Sequence, residues 1–197
     1  MNNIEVRNFN LELRAEGEGN TIAGYAAVFD KPFENEYFIE YVRPGAFSRA
    51  LREGQDVLGL FNHDANHPLG RMSAGTMRLV EDVTGLLYDI DLPDRQDAKD
   101  LRTSIKRKDI KGSSFTFRAV KVEWDESKPK PVRYLIDVDI YDVGPVTRAA
   151  YDDTTVAMRS LEMWRAEHKP QPPIKTAPLS LFVARQRQAI ALGALIA

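Results

Sequence analysis

Ser114-Phe115-Thr116-Phe117-Arg118-Ala119-Val120-Lys121-Val122-Glu123-Trp124 and, beyond Lys128-Pro129-Lys130-Pro131, Val132-Arg133-Tyr134-Leu135-Ile136-Asp137-Val138-Asp139-Ile140-Tyr141-Asp142-Val143 are two long runs of alternating character. Alternation with a period of two puts successive side chains on opposite faces of a strand, so both runs predict strands joined at the prolines. Ile4 to Arg14, with Val6, Phe9, Leu11 and Leu13, and Gly24 to Phe29, ended by Asp30-Lys31-Pro32, predict two more. Val57 to Asn62 is apolar on both faces, as a fully buried strand is. Thr76 to Val80 and Leu86 to Leu92 flank the turn-like Asp82-Val83-Thr84-Gly85. Helical signals are fewer: Pro44 to Arg52 with Gly54 as its stop, and the polar stretch Asp94 to Lys108. Many strands and two helices predict a mainly β fold with flanking helices, a closed or nearly closed β-barrel surrounded by α-helices.

Composition limits what such a fold can do. The 197 residues are 43% hydrophobic and 28% charged, the ordinary range for a globular protein. A formal charge of −2 lacks the basic excess of a nucleic-acid binder, so no nucleic acid is expected as partner. With no cysteine there is no disulfide framework, thiol nucleophile or Cys-ligated zinc. The N-terminal residues carry no secretory pattern and the apolar stretch near Ala189 to Ala197 is too short to span a bilayer, so no membrane association is expected. Charge is uneven: residues 1–157 carry 21 basic and 27 acidic side chains, residues 158–197 carry 6 and 2. Lys169-Pro170-Gln171-Pro172-Pro173 disfavours a continuous helix. The expected organisation is a folded domain over 1–168 and a proline-containing linker with a basic tail over 169–197. Within the tail, Leu179 to Ala197 fits a short helix that needs a partner surface.

Three residues stand out chemically. His63 ends the apolar run Val57 to Asn62, and Ser114 opens the strand that carries Phe115 and Phe117. These are the raw material of a general base and a nucleophile. If the two aromatics face the core, Ser114 lies on the opposite, accessible face. In the later run Asp137 and Asp139 can face water, but Asp142 falls in phase with Ile136, Val138 and Ile140, so a regular strand turns it inward. A buried carboxylate needs a partner, and His63 is the candidate. Taken singly, each has a plainer structural reading: a small polar filler for Ser114, a satisfied core histidine for His63, a turn cap or arginine partner for Asp142. His63-x-x-x-His67 has the spacing of a metal pair, but His67-Pro68-Leu69-Gly70 breaks the helix that would align the rings. Lys106-Arg107-Lys108 reads as a solvated helix end and His168 as a solvated residue.

In order along the chain, Asn62-His63-Asp64, Pro68-Leu69-Gly70-Arg71, Gly85-Leu86, Gly112-Ser113-Ser114-Phe115-Thr116-Phe117, Asp142-Val143-Gly144-Pro145-Val146-Thr147 and Ala150-Tyr151 resemble the successive blocks of the tailed-bacteriophage prohead protease family. The resemblance covers about Gly24 to Ser160. It implies that His63 and Ser114 are the catalytic pair and that Asp142 is the acidic third member. It also implies a fold similar to the herpesvirus assembly proteases. By looser analogy with those enzymes, the turn Thr147-Arg148-Ala149 supplies oxyanion-binding backbone N–H groups from Arg148 and Ala149. Thr116 stands where that family usually has glycine, Asp142 where glutamate is commoner, and Ala149 where proline precedes Ala-Tyr. The implied activity is a serine endopeptidase acting through an acyl-enzyme, without cofactor or metal. Its implied substrates are scaffold protein, the scaffold-like arm of the major capsid protein, and the protease itself. Its implied place is the host cytoplasm, inside the immature capsid, with self-association allowed. Two other classes remain open at this point: a non-catalytic assembly or scaffolding module, and a metal-dependent hydrolase using His63 and His67.

Overall fold

The computed structural model describes residues 3–11, 13–15, 19–147 and 155–168. Met1–Glu162 is one compact unit and Met163–Ala197 a second. The described chain runs through β1 (Ile4–Asn10), β2 (Leu13–Arg14), β3 (Thr21–Val28), β4 (Phe33–Glu34), β5 (Ile39–Val42), α1 (Ser48–Arg52), β6 (Leu58–Gly59) and β7 (Gly70–Arg71). It continues through β8 (Met77–Glu81), β9 (Gly85–Asp91), α2 (Gln96–Lys106), β10 (Gly112–Asp125), β11 (Val132–Val146) and α3 (Thr155–Glu167). The mainly β character with flanking helices is as the alternation predicts. The linker at 169–173 and the segment Leu179 to Ala197 lie outside the described residues.

The strands form two open sheets, not a closed barrel. One is seven-stranded with the path β1-β10-β11-β5-β4, and β6 and β7 add to β11 further along; the other runs β2-β3-β9-β8. Ile4 to Arg14 is not a single strand. The chain leaves the first sheet after Asn10 and enters the second at Leu13, so one alternating stretch serves two sheets. Alternation reports which residues share a face but not which edges ladder together.

Both sheets contribute to one core. Ile22, Leu86, Tyr88 and Ile90 come from the second sheet; Phe9, Phe115, Phe117, Val138, Ile140 and Val143 come from the first. Phe115 and Phe117 stack at 4.7 Å and Phe47 meets Phe115 edge-on at 5.7 Å. Each such fully buried side chain contributes about 1.5–3 kcal/mol, and truncating Phe115 to alanine costs about 3–5 kcal/mol. Helix α2 is amphipathic: Ala98, Leu101 and Ile105 recur at helical spacing and are buried. The basic run ends it, with Arg107 as C-cap and Lys108 exposed. In the first unit Ala157 and Leu161 of α3 are buried, and Trp124 Nε1 donates to Ser160 Oγ at 3.4 Å. In the second, the Trp164 ring stacks on His168 at 4.3 Å.

In β1 the core face is not the one its apolar residues favour. Glu5, Arg7 and Phe9 are buried, while Val6 is only partly covered. Arg7 reaches Glu40 of β5 at 2.7 Å and Glu5 at 2.8 Å, and Arg133 of β11 meets Glu5 at 2.6 Å and Glu40 at 2.8 Å. The quartet is neutral overall and each member is at most 2% exposed. Phe33 and Phe117 cover Arg7 at 4.9 and 5.5 Å. Burial pushes the Glu5 carboxyl up, but the two guanidinium groups outweigh it and hold it below the usual range. Desolvation offsets most of the Coulomb gain of such a cluster, whereas removing one member strands a charge and costs about 3–5 kcal/mol. Mutual neutralisation is what lets charged residues occupy the inward phase. The quartet also ties β1 to β5 through side chains where no backbone ladder joins them.

Candidate active site

The start of β10 and the end of β11 decide which side chains meet. Opposite residues are Ser114 and Gly144, Phe115 and Val143, Thr116 and Asp142; then the register shifts, and Phe117 faces Ile140. Tyr141 is therefore an extra residue, a β-bulge that changes the phase of everything after it. Ile140 and Val143 both join the core, although three positions apart. Asp142, which regular alternation turns inward with Val138 and Ile140, sits instead on the outer face beside Thr116 and Ser114. A further irregularity upstream makes Leu135 a core residue in place of Ile136. Ser114 lies on the face away from Phe115 and Phe117 as expected, yet it is 0% exposed. The outer face is covered here, so it is not the open surface that the alternation implies.

His63 reaches that face from the loop 60–69 between β6 and β7. Strand β6 runs parallel to β11, with Leu58 opposite Asp142 and Gly59 opposite Val143. The pairing continues past β6: Leu60 N–H donates to the Val143 carbonyl at 2.9 Å and Asn62 N–H to that of Pro145 at 3.0 Å. Gly144 makes this approach feasible. Its φ is +156°, and a Cβ there would lie 1.9 Å from the Leu60 carbonyl oxygen. Asn62 and His63 then take left-handed φ values of 52° and 59°, which turn the chain back toward β10. Asparagine and histidine tolerate this region better than most residues. The Asn62 side chain fixes the turn, accepting from Thr147 N–H at 2.9 Å and donating to Thr147 Oγ1 at 3.2 Å.

The result is a continuous hydrogen-bonded line. His63 Nδ1 is 2.5 Å from Asp142 Oδ1, and Nε2 is 2.7 Å from Ser114 Oγ. A carboxylate only accepts, so Nδ1 carries the ring proton and Nε2 is left to accept from the serine hydroxyl. Thr116 Oγ1, 3.1 Å from Nδ1, is a second acceptor for that N–H. The Arg7 carbonyl lies 3.0 Å from Ser114 Oγ and competes for the hydroxyl proton. The His63 side chain is 24% exposed and that of Asp142 12%. A groove of about 530 Å³ runs beside the loop, with Asn62, Leu69 and Leu101 among its lining residues.

Other residues singled out by sequence fall elsewhere. Ser113 faces the core, where its hydroxyl shares a 2.9 Å hydrogen bond with Tyr88. His67 is exposed and lies 3.3 Å from Asp64. Both ring nitrogens of His63 are engaged, and among the described residues no group of three or more His, Cys, Asp or Glu is arranged to hold a metal. Asp139, expected to face water, is buried: Arg49 at 2.6 Å, Gln55 at 2.7 Å and Arg118 surround its carboxylate. Burial pushes its carboxyl up, but these three donors bring it down to about 2. Arg148 and Ala149, the candidate oxyanion donors, lie outside the described residues, as do Ala150 and Tyr151. Sequence reasoning gave no part to Thr116 at the imidazole, to the Arg7 carbonyl or to Gly144. Only Gly144 carried a signal, a glycine inside a strand.

An acid, an imidazole and a serine hydroxyl in one hydrogen-bonded line, on a mainly β scaffold, define the arrangement of a serine hydrolase. Comparison with known families is narrower. The family model described as caudovirus prohead serine protease matches residues 9–169, and the chain belongs to that family of serine peptidases. No curated protein and no solved structure matches the chain. Among the described residues, no helix is long and apolar enough to cross a membrane.

Proposed function

We propose that this chain is a serine endopeptidase that matures the phage prohead, with Ser114 as nucleophile, His63 as general base and acid, and Asp142 as the group orienting the imidazole. The observation that carries the reading is the line Asp142–His63–Ser114, with both ring nitrogens within 2.7 Å of their partners. As Ser114 Oγ bonds to the scissile carbonyl carbon, its proton passes to His63 Nε2 and the carbonyl π pair moves to oxygen. Collapse breaks the C–N bond and His63 returns the proton to the leaving amine. Water then repeats the sequence on the acyl-enzyme. Asp142 holds the Nδ1–H tautomer and offsets the charge of the imidazolium. The backbone N–H groups of Arg148 and Ala149 are candidate oxyanion donors.

Family membership supports the substrate class: scaffold protein, the scaffold-like arm of the major capsid protein, and finally the enzyme itself, within the immature capsid in the host cell. Residues 1–168 form the protease domain in this reading. The basic stretch over 169–197 complements acidic scaffold and tethers the enzyme during assembly. Substrate side chains beside the scissile bond have room in the groove along the histidine loop. Intact-mass analysis of the purified chain over time, beside S114A and S113A, tests the reading. Wild type and S113A accumulate defined cleavage products and S114A does not. Fragmentation of S114A equal to wild type, or loss of fragmentation in S113A instead of S114A, refutes the assignment.

A further inference from the structure

Asn8 lies on β1 directly opposite Ser114 of β10. Opposite residues of an antiparallel pair project to the same face with their Cβ atoms about 5 Å apart, so the Asn8 carboxamide is the immediate neighbour of the serine side chain. Both its Oδ1 and its Nδ2 are buried and neither has a hydrogen-bond partner. A wholly unpaired carboxamide is expensive, and an unpaired buried polar group in a native fold calls for an explanation. Single buried atoms elsewhere lack a partner, Arg133 Nε and Asn35 Nδ2 among them, but those side chains bond through their other polar atoms. In Asn8 both polar atoms are unpartnered, and it stands beside the hydroxyl that His63 Nε2 approaches.

The sides of that hydroxyl are distinct. His63, whose Nδ1 is held by Asp142 of β11 and Thr116 of β10, reaches Ser114 from the segment that runs along β11; β1 is the strand on the other side of β10. When a serine oxygen attacks a carbonyl, its proton leaves toward the base while negative charge gathers on the carbonyl oxygen, which needs donors directed away from the base. On the β1 side the Arg7 carbonyl at 3.0 Å is an acceptor and stabilises no oxyanion. The carboxamide next to it carries two N–H donors and has nothing to donate to. Ser114 and Asn8 are opposite one another in the ladder and share a face, so a substrate carbonyl at the serine oxygen is beside the carboxamide.

We propose that Asn8 is a catalytic residue, its Nδ2–H donating to the scissile carbonyl oxygen as that oxygen takes up the π electron pair during attack by Ser114. The inference rests on the protease reading above and assigns one of its oxyanion donors to a side chain of the edge strand. It accounts for the unpaired donor: Nδ2 is unsatisfied in the resting state because its acceptor is the tetrahedral intermediate.

The test uses the full chain as wild type, N8L, N8D and S114A, with a fluorophosphonate as probe. Its phosphoryl oxygen occupies the oxyanion position when the serine is labelled. Labelling rates come from intact mass and stability from thermal melts. N8L and N8D are expected to label ~10²–10³-fold more slowly than wild type, the effect of removing one oxyanion donor. N8L, which replaces an unpaired amide by an apolar side chain of similar size, is also expected to melt at a higher temperature. A purely structural asparagine moves both readouts the other way: N8L melts lower and labels at the wild-type rate. Folded N8L or N8D labelling within threefold of wild type overturns the proposal. Wild type that resists labelling as fully as S114A overturns the protease reading itself, and this inference with it.

Discussion

Asp142→Asn isolates the contribution of the carboxylate that the β-bulge at Tyr141 brings to His63. At 2.5 Å from Nδ1 the aspartate dictates the tautomer in which Nε2 accepts from Ser114. Asparagine offers Nδ1 either its oxygen or its NH₂, and the second choice moves the ring proton to Nε2, where it cannot take the serine proton. A full switch costs up to ~10⁴-fold in rate, about 5.4 kcal/mol at 1.36 kcal/mol per decade. Here Thr116 Oγ1, 3.1 Å from the same nitrogen, also accepts from Nδ1–H and favours the productive tautomer. A neutral hydrogen bond contributes about 1 kcal/mol, roughly one decade, so D142N is expected to lose ~10³-fold. T116V is expected to lose less than threefold by itself and about tenfold in the D142N background. Fluorophosphonate labelling rates of the four chains, with circular dichroism to confirm folding, measure both effects. Folded D142N within tenfold of wild type removes Asp142 from the site, and T116V effects equal in the two backgrounds remove Thr116 from the imidazole.

Three further outcomes follow from the same geometry. Gly144→Ala drives a Cβ into the Leu60 carbonyl at a positive φ, so it is expected to cost about 3–5 kcal/mol by chemical denaturation and to lower the labelling rate of molecules that remain folded. Asp139→Asn loses charge-assisted hydrogen bonds and is expected to destabilise by about 1–3 kcal/mol while leaving the labelling rate of folded protein unchanged. Because the Asp139 carboxyl is lowered to about 2 from an unfolded 3.8, its contribution is complete above pH about 4 and is lost as pH falls through about 2. Thermal melts of wild type and D139N should converge over that window, and a constant gap refutes the assignment. Removal of residues after His168 is expected to leave the protease domain folded and to reduce the amount of protease in purified proheads; equal incorporation ends the tether role.

The sequence conveyed the strands better than their joints. Alternation located β3, β8, β9, β10 and β11 to within a few residues because each has one apolar face against the common core. It failed where charge or an extra residue overrides the period. Glu5 and Arg7 occupy the core phase of β1 because Glu40 and Arg133, distant in sequence, neutralise them. Asp139 is buried for a similar reason, since Arg49 of α1 and Arg118 of β10 converge on it. Regular alternation turns Asp142 inward, and the bulge at Tyr141 reverses that phase; the residue meets His63 because it points out of the core, not into it. Helix α3 went unforeseen: Ala157 and Leu161 recur at helical spacing, but within a stretch read as the edge of the domain. His63 and Ser114 were legible as residue types in a family-like order. Their approach depends on Gly144, the left-handed Asn62-His63 turn and the parallel run of β6 along β11, none of which periodicity reports.

In the proposed mechanism Ser114, activated by His63, is the nucleophile. The most direct test is to treat the full chain with a fluorophosphonate and locate the adduct by peptide mapping in wild type, S113A, S114A and H63A. One adduct, on Ser114, is expected in wild type and S113A, and none in S114A or H63A. An adduct on Ser113 or elsewhere, or labelling that survives H63A undiminished, contradicts it.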